Sequence, residues 1–294
     1  MEKINEHRAN SSIKNIAELH KNKEPWLTTL LAGIVPIIKE RETAELAINT
    51  YRLFRYIDNY IEKSEENIET KLKIIDRANT LLLHHNVIRE GNNIEFNKET
   101  IELFDRIGGI SLLTNIIKSP VFDDESRDLM LWGLNFMRIE LETYGKDKTP
   151  PTQAISNYLA VGGVLPYTLL ATKFLFGKPL AINPEIIRLS IAMQKGDNVR
   201  DLEEDLKHGQ KRFSSSDAGV PDYCKASDIS TKDKARIAAS CIYNASIATI
   251  RAKWSEKFLY MGGLSKTITD AIATGLNIYT ELLQQSEDSR TTSQ

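Results

Sequence analysis

The chain has 294 residues, 41% hydrophobic and 27% charged, with 38 Lys and Arg against 40 Asp and Glu and a net charge of −2. That length can bury a sizeable core, the composition is that of a soluble globular protein, and the near-neutral balance excludes broad electrostatic binding of nucleic acid. Two cysteines, Cys224 and Cys241, stand without metal-type spacing, which excludes a disulfide framework and makes a reducing cytoplasm the expected compartment.

The first residues, Met1 to Arg8, are polar and lack the apolar core of a signal peptide. Beyond them helical periodicity dominates and strand alternation is scarce. The predicted helices run from Ser12 to Lys21, Trp26 to Lys39, Thr43 to Ser64, Ile68 to Asn86, Lys98 to Ser119 and Ser126 to Thr143. Further helices are predicted from Gln153 to Phe176, Pro184 to Gly209, Lys232 to Ala252 and Ser255 to Gln285. Asn183-Pro184 reads as an N-cap followed by proline at the first helical position, and Ser119-Pro120 stops the helix before it. The apolar stretch from Tyr158 to Phe176 contains Pro166 and Lys173 and reads as a buried or interfacial helix rather than a membrane span. Residues 211–231 form the longest non-periodic stretch and read either as a flap over a site or as a surface loop. The expectation is one all-α domain over residues 13–283, between a flexible N-terminus (1–12) and a flexible tail (284–294).

Two acidic helices carry the chemical signal. On the first, Tyr51, Arg55, Asp58 and Glu62 fall at i, i+4, i+7 and i+11, one polar stripe beside the apolar Leu46, Ile48, Leu53, Phe54, Ile57 and Ile61. On the second, Gln194, Asp197, Asp201, Asp205 and His208 repeat the design beside Ile186, Ile187, Ile191, Val199, Leu202 and Leu206. Carboxylates one helical turn apart repel. Their oxygens are hard ligands that Mg²⁺ prefers, and Mg²⁺ completes its shell with waters and substrate phosphates. Arg55 and Arg200, close to the carboxylates, suit phosphate oxygens and also the neighbouring acids. Either pair alone also fits a solvated acidic face; the two together point to a magnesium–diphosphate site. His84-His85 could not easily serve as a metal pair, because adjacent helical positions point about 100° apart.

These segments resemble the squalene/phytoene synthase family of trans-isoprenyl diphosphate synthases. The first family motif stands as Tyr51-x-x-x-Arg55-x-x-Asp58-x-x-x-Glu62, and the second as Gln194-x-x-Asp197-x-x-Arg200-Asp201-x-x-Glu204-Asp205 followed by Lys207-His-Gly-Gln-Lys211-Arg212-Phe. Glu62 replaces the usual Asp, Asn59 stands where a second Asp often sits, and Asp197 replaces the usual Asn. Asn157-Tyr158-Leu-Ala-Val-Gly162-Gly163 approximates a glycine-containing family run, and Thr28 and Thr29 are weak substitutes for a Ser-x-x-Phe element.

The resemblance implies an isoprenoid synthase-type helical bundle around a cavity, with Mg²⁺ held by Asp58, Glu62, Asp201 and Asp205. It implies a catalytic Tyr51 and a substrate-binding set of Arg55, Gln194, Asp197, Arg200, Glu204, Lys207, Lys211 and Tyr158. The implied reaction joins two prenyl diphosphates, farnesyl or geranylgeranyl, head to head, with NADPH needed for squalene alone. A cation captured by an aromatic acceptor or cyclised internally is the alternative, and a non-catalytic relative acting in assembly is the third reading. Expected partners are prenyl diphosphates and a transiently contacted membrane surface.

Overall fold

The structure, a computed structural model, describes residues 38, 40–86, 102, 104–105, 109–144 and 149–251, without the side chains of residues 63, 200, 242 and 245–251. The helices expected from Ser12 to Lys21, Trp26 to Lys39 and Ser255 to Gln285, the Thr28-Thr29 pair and both flexible termini lie outside the described residues or almost wholly so.

All regular structure among the described residues is helical: α1 (Arg41–Lys63), α2 (Ile68–Leu83), α3 (Gly109–Lys118), α4 (Asp124–Thr143), α5 (Gln153–Phe176), α6 (Pro184–Arg200), α7 (Leu202–Lys207), α8 (Ser215–Ala218), a 3₁₀ turn (Ala226–Asp228) and α9 (Thr231–Arg251). The described residues divide into two compact units. One takes those up to Leu134 and Thr168–Leu180, the other Asn135–Tyr167 and residues 181–251. Two of the divisions fall inside α4 and α5, where helical periodicity continues without a linker, and a third falls in the connection between α5 and α6.

Local chemistry explains the helix ends. Asn67 Oδ1 accepts from the Thr70 N–H at 2.8 Å, and Asn183 Oδ1 from the Ile186 N–H at 3.0 Å, with Pro184 opening α6. Asp123 Oδ1 accepts from the Ser126 N–H at 2.8 Å, so the Asp123-Asp124-Glu125 run opens α4, where negative charge suits the helix dipole.

In the first unit the apolar stripe of α1 is buried as its spacing predicts: Leu46, Leu53, Phe54 and Ile57 are closed to solvent, as are Ile74, Ile75 and Leu82 of α2 and Leu113, Ile116 and Ile117 of α3. α1 packs against α3 and, less extensively, α2. In the second unit α6 and α9 form the most extensive helix pair. Its buried cluster includes Leu202, Leu206, Phe213, Ala218, Tyr223, Ile229, Ile237 and Cys241. Four of these, Phe213, Ala218, Tyr223 and Ile229, come from the non-periodic stretch of residues 211–231. That stretch is a packed loop, because its few large apolar side chains all turn inward.

Among the described residues α5 alone is long and apolar enough to cross a membrane, and 56% of its most apolar 18-residue window is buried. Lys173 in this helix is buried and ion-paired, its Nζ 2.8 Å from Asp123 Oδ2 and 2.6 Å from Glu125 Oε2.

Candidate functional site

Each unit carries one of the two acidic motifs. In the first, α1 is unbroken from Arg41 to Lys63, so Tyr51, Arg55, Asp58 and Glu62 share one face, half-buried, beside the closed apolar stripe. Arg55 Nη1 donates to Asp58 Oδ2 at 2.5 Å, with both side chains about a third exposed, 33% and 32%. The arginine thus supplies the positive charge that a carboxylate pair one turn apart requires. One residue before Glu62, the Ile61 carbonyl accepts from Lys71 Nζ at 2.7 Å, which ties α2 to the last turn of α1. Burial lowers the Lys71 ammonium from its ordinary value, with Glu66 opposing.

In the second unit the helix loosens at Asp201, where α6 ends and α7 begins. The hydrogen-bond ladder nonetheless continues, Asp201 N–H to Asp197 C=O and Asp205 N–H to Asp201 C=O, both at 2.9 Å. Asp197, Asp201 and Asp205 therefore stay on one face despite the break. Asp197 and Asp201 are partly exposed; Asp205 is buried. Burial pushes the Asp205 carboxyl up to about 6, with the Arg212 charge and hydrogen bond pulling the other way and Asp201 and Glu140 adding to the rise.

Arg212 is the residue beside the second motif that sequence reasoning passed over. Its Nε stands 2.9 Å from Asp205 Oδ2, its Nη1 pairs with Glu140, and its Nη2 donates to Gln210 Oε1 at 2.9 Å. The guanidinium carbon lies 5.7 Å from the centre of the Tyr144 ring. The basic segment around Gly209 suggests Lys207 and Lys211 as diphosphate partners. In the structure Lys207 is exposed, and Lys211 Nζ bonds Asp222 Oδ1 at 2.7 Å. A signal was available: arginine, with its planar fork, is the residue that serves several buried acceptors at once.

The remaining residues expected to bind substrate scatter within the same unit. Gln194 Nε2 donates to Asn198 Oδ1 at 3.1 Å, and its Oε1 faces Gly163 of α5 so closely that a Cβ there would overlap it. Gly162 is filled in the same way by the Phe136 ring of α4. The double glycine thus lets α4 and α6 approach α5 on two sides. Tyr158 is more than half exposed, its ring 5.0 Å from that of Phe136. Glu204 is exposed. The Arg200 side chain lies outside the described residues.

His84 and His85 diverge as adjacent helical positions must. His84 Nδ1 bonds the Thr80 carbonyl at 2.9 Å, while buried His85 meets the Phe122 ring edge-on and stands 3.3 Å from Asp124 Oδ1.

Among the described residues no three His, Cys, Asp or Glu side chains gather as a metal-holding group. Each motif instead offers two carboxylates on one helical face. That donor set fits Mg²⁺, which is commonly held by one or two carboxylates with the rest of its shell from water and substrate phosphate. Comparison with protein-family models, with curated proteins and with solved structures finds no match to this chain.

Proposed function

We propose that the protein is a magnesium-dependent prenyltransferase that ionises a prenyl diphosphate, farnesyl or geranylgeranyl, and joins two of them head to head, in the manner of the squalene/phytoene synthases its motifs resemble. The observation that carries this reading is the same in both units: a carboxylate pair on one helical face, one member of which is held by an arginine, Asp58 by Arg55 and Asp205 by Arg212. Two like charges one turn apart cost stability, and a fold that keeps two such pairs, each with a compensating cation, is arranged for charge rather than for packing.

Asp58, Glu62, Asp201 and Asp205 would hold Mg²⁺, which when bound neutralises the departing diphosphate. Arg55, Arg200 and Lys207 add positive charge toward diphosphate oxygens. Tyr51, on the same face as Arg55 and Asp58, donates its hydroxyl to the diphosphate, and Gln194 donates its amide. The apolar residues of α5 exclude water from the allylic cation. The fold in this reading is an isoprenoid synthase-type bundle, and an apolar product brings the protein to the cytoplasmic membrane surface. NADPH enters for a squalene product. Transfer to an aromatic acceptor uses the same ionising residues and differs in product.

A second reading has its own observation. Asp205 is buried and ion-paired with Arg212, which in turn pairs with Glu140; taken alone, that network makes the second motif a structural centre in a non-catalytic protein. Incubation with Mg²⁺ and farnesyl or geranylgeranyl diphosphate, with and without NADPH, separates the two. The prenyltransferase releases diphosphate and a C30 or C40 hydrocarbon, and Asp58→Asn, at a partly exposed site, abolishes release without unfolding the chain. Absence of diphosphate release at every chain length refutes the enzyme reading.

A further inference from the structure

Building on that reading, we infer that Arg212 is a positioning residue: it fixes the Asp205 carboxylate through Oδ2 so that Asp201 and Asp205 meet a divalent cation and its diphosphate as an aligned pair. Arg212 is itself fixed at both ends. Its guanidinium joins Asp205 of α7, Glu140 of α4 and Gln210 of the following turn. Its backbone carbonyl accepts from the Tyr144 hydroxyl at 3.3 Å and from Ser156 Oγ of α5 at 3.1 Å. A side chain so held has little rotamer freedom left, and it passes that order to Asp205. The Arg212 Nε meets the Asp205 carboxylate at Oδ2, 2.9 Å away. Outer groups that orient a ligating carboxylate typically change metal affinity 10- to 100-fold when removed. Lysine keeps the charge of Arg212 but lacks the fork that spans Asp205, Glu140 and Gln210.

The test is binding of Mn²⁺ in the presence of inorganic diphosphate, read from the free-Mn²⁺ electron paramagnetic resonance signal. It is made in the chain carrying Asp58→Asn and Glu62→Gln, so that bound Mn²⁺ reports on the second pair. Arg212→Lys is expected to weaken binding about 10- to 100-fold. Glu140→Gln, which leaves Arg212 beside Asp205 but loosens its anchor on α4, is expected to weaken it in the same direction. Thermal melting without metal shows whether each variant is folded, and if Arg212→Lys does not fold, Glu140→Gln decides alone. Folded variants that bind Mn²⁺ as tightly as their parent overturn the positioning role and leave the proposed reaction standing. Absence of Mn²⁺ binding in both the parent and the unsubstituted chain overturns the two together.

Discussion

The Tyr223 hydroxyl closes a two-way bridge to Phe213, accepting from its N–H at 2.8 Å and donating to its carbonyl at 2.7 Å. Both residues are buried, and burial raises the phenol above its ordinary value. Around them Gln153 Oε1 accepts from Ser214 and Ser216 at 2.7 Å each, and Lys195 pairs with Asp217 at 2.9 Å. The bridge replaces the ladder partners that an irregular buried backbone lacks. Tyr223→Phe leaves a buried donor and acceptor unpaired, at about 1–3 kcal/mol for such a group. We expect a loss of about 2–3 kcal/mol on that basis, measured from the urea midpoint. A midpoint equal to that of the unsubstituted protein would show that the loop is not part of the cooperative core.

Much of this was legible beforehand, and the failures have physical causes. The face of α1 was readable because six apolar positions repeat at helical spacing, and all of them are buried. The start of α6 was readable because Asn183-Pro184 is local chemistry. Arg212 was not, because its inward turn depends on Gly209, at φ 74°, and on Glu140, 72 residues away. The packed loop was missed for a related reason: Phe213, Tyr223 and Ile229 follow no period, and only the fold brings them together.

The double glycine of α5 separates two kinds of close approach. A methyl at Gly162 overlaps the ring of buried Phe136, whereas one at Gly163 overlaps the end of the partly buried Gln194 side chain. A ring in a packed core cannot step aside cheaply, and overpacking of this kind costs about 1–3 kcal/mol. A flexible amide can swing away, and alanine in a helix recovers up to about 1 kcal/mol over glycine. Gly162→Ala should therefore be clearly destabilised, while Gly163→Ala should stay within about 0.5 kcal/mol of the unsubstituted protein, the propensity gain offsetting the displaced amide. Equal melting temperatures for the two variants would refute the asymmetry.

Lys173 is a cation inside the most apolar helix, and its partners set when it stabilises. Its side chain is 8% exposed, but those of Asp123 and Glu125 are 53% and 51% exposed. Once the lysine is gone, the two acids relax into water. Lys173→Met, which keeps the length and removes the charge, should therefore cost about 1–2 kcal/mol at neutral pH, below the figure for a fully buried pair. The pH dependence fixes the mechanism. Burial alone would raise Asp123, but hydrogen bonds from Lys173 and Ser126 outweigh it and hold the carboxyl below its ordinary 3.8. Its contribution is present above that value and is lost as pH falls through the depressed one. For Lys173 burial would lower the ammonium, but the bonds to Asp123 and Glu125 outweigh it and raise it above 10.5. Its contribution is present below that value and is lost as pH rises through the elevated one. The stability gap between the unsubstituted protein and Lys173→Met should thus be widest between about pH 4 and pH 10 and close on both sides. Urea titrations at acid, neutral and alkaline pH measure it, and a gap that stays constant would mean that Lys173 contributes through packing of its alkyl chain rather than through its charge.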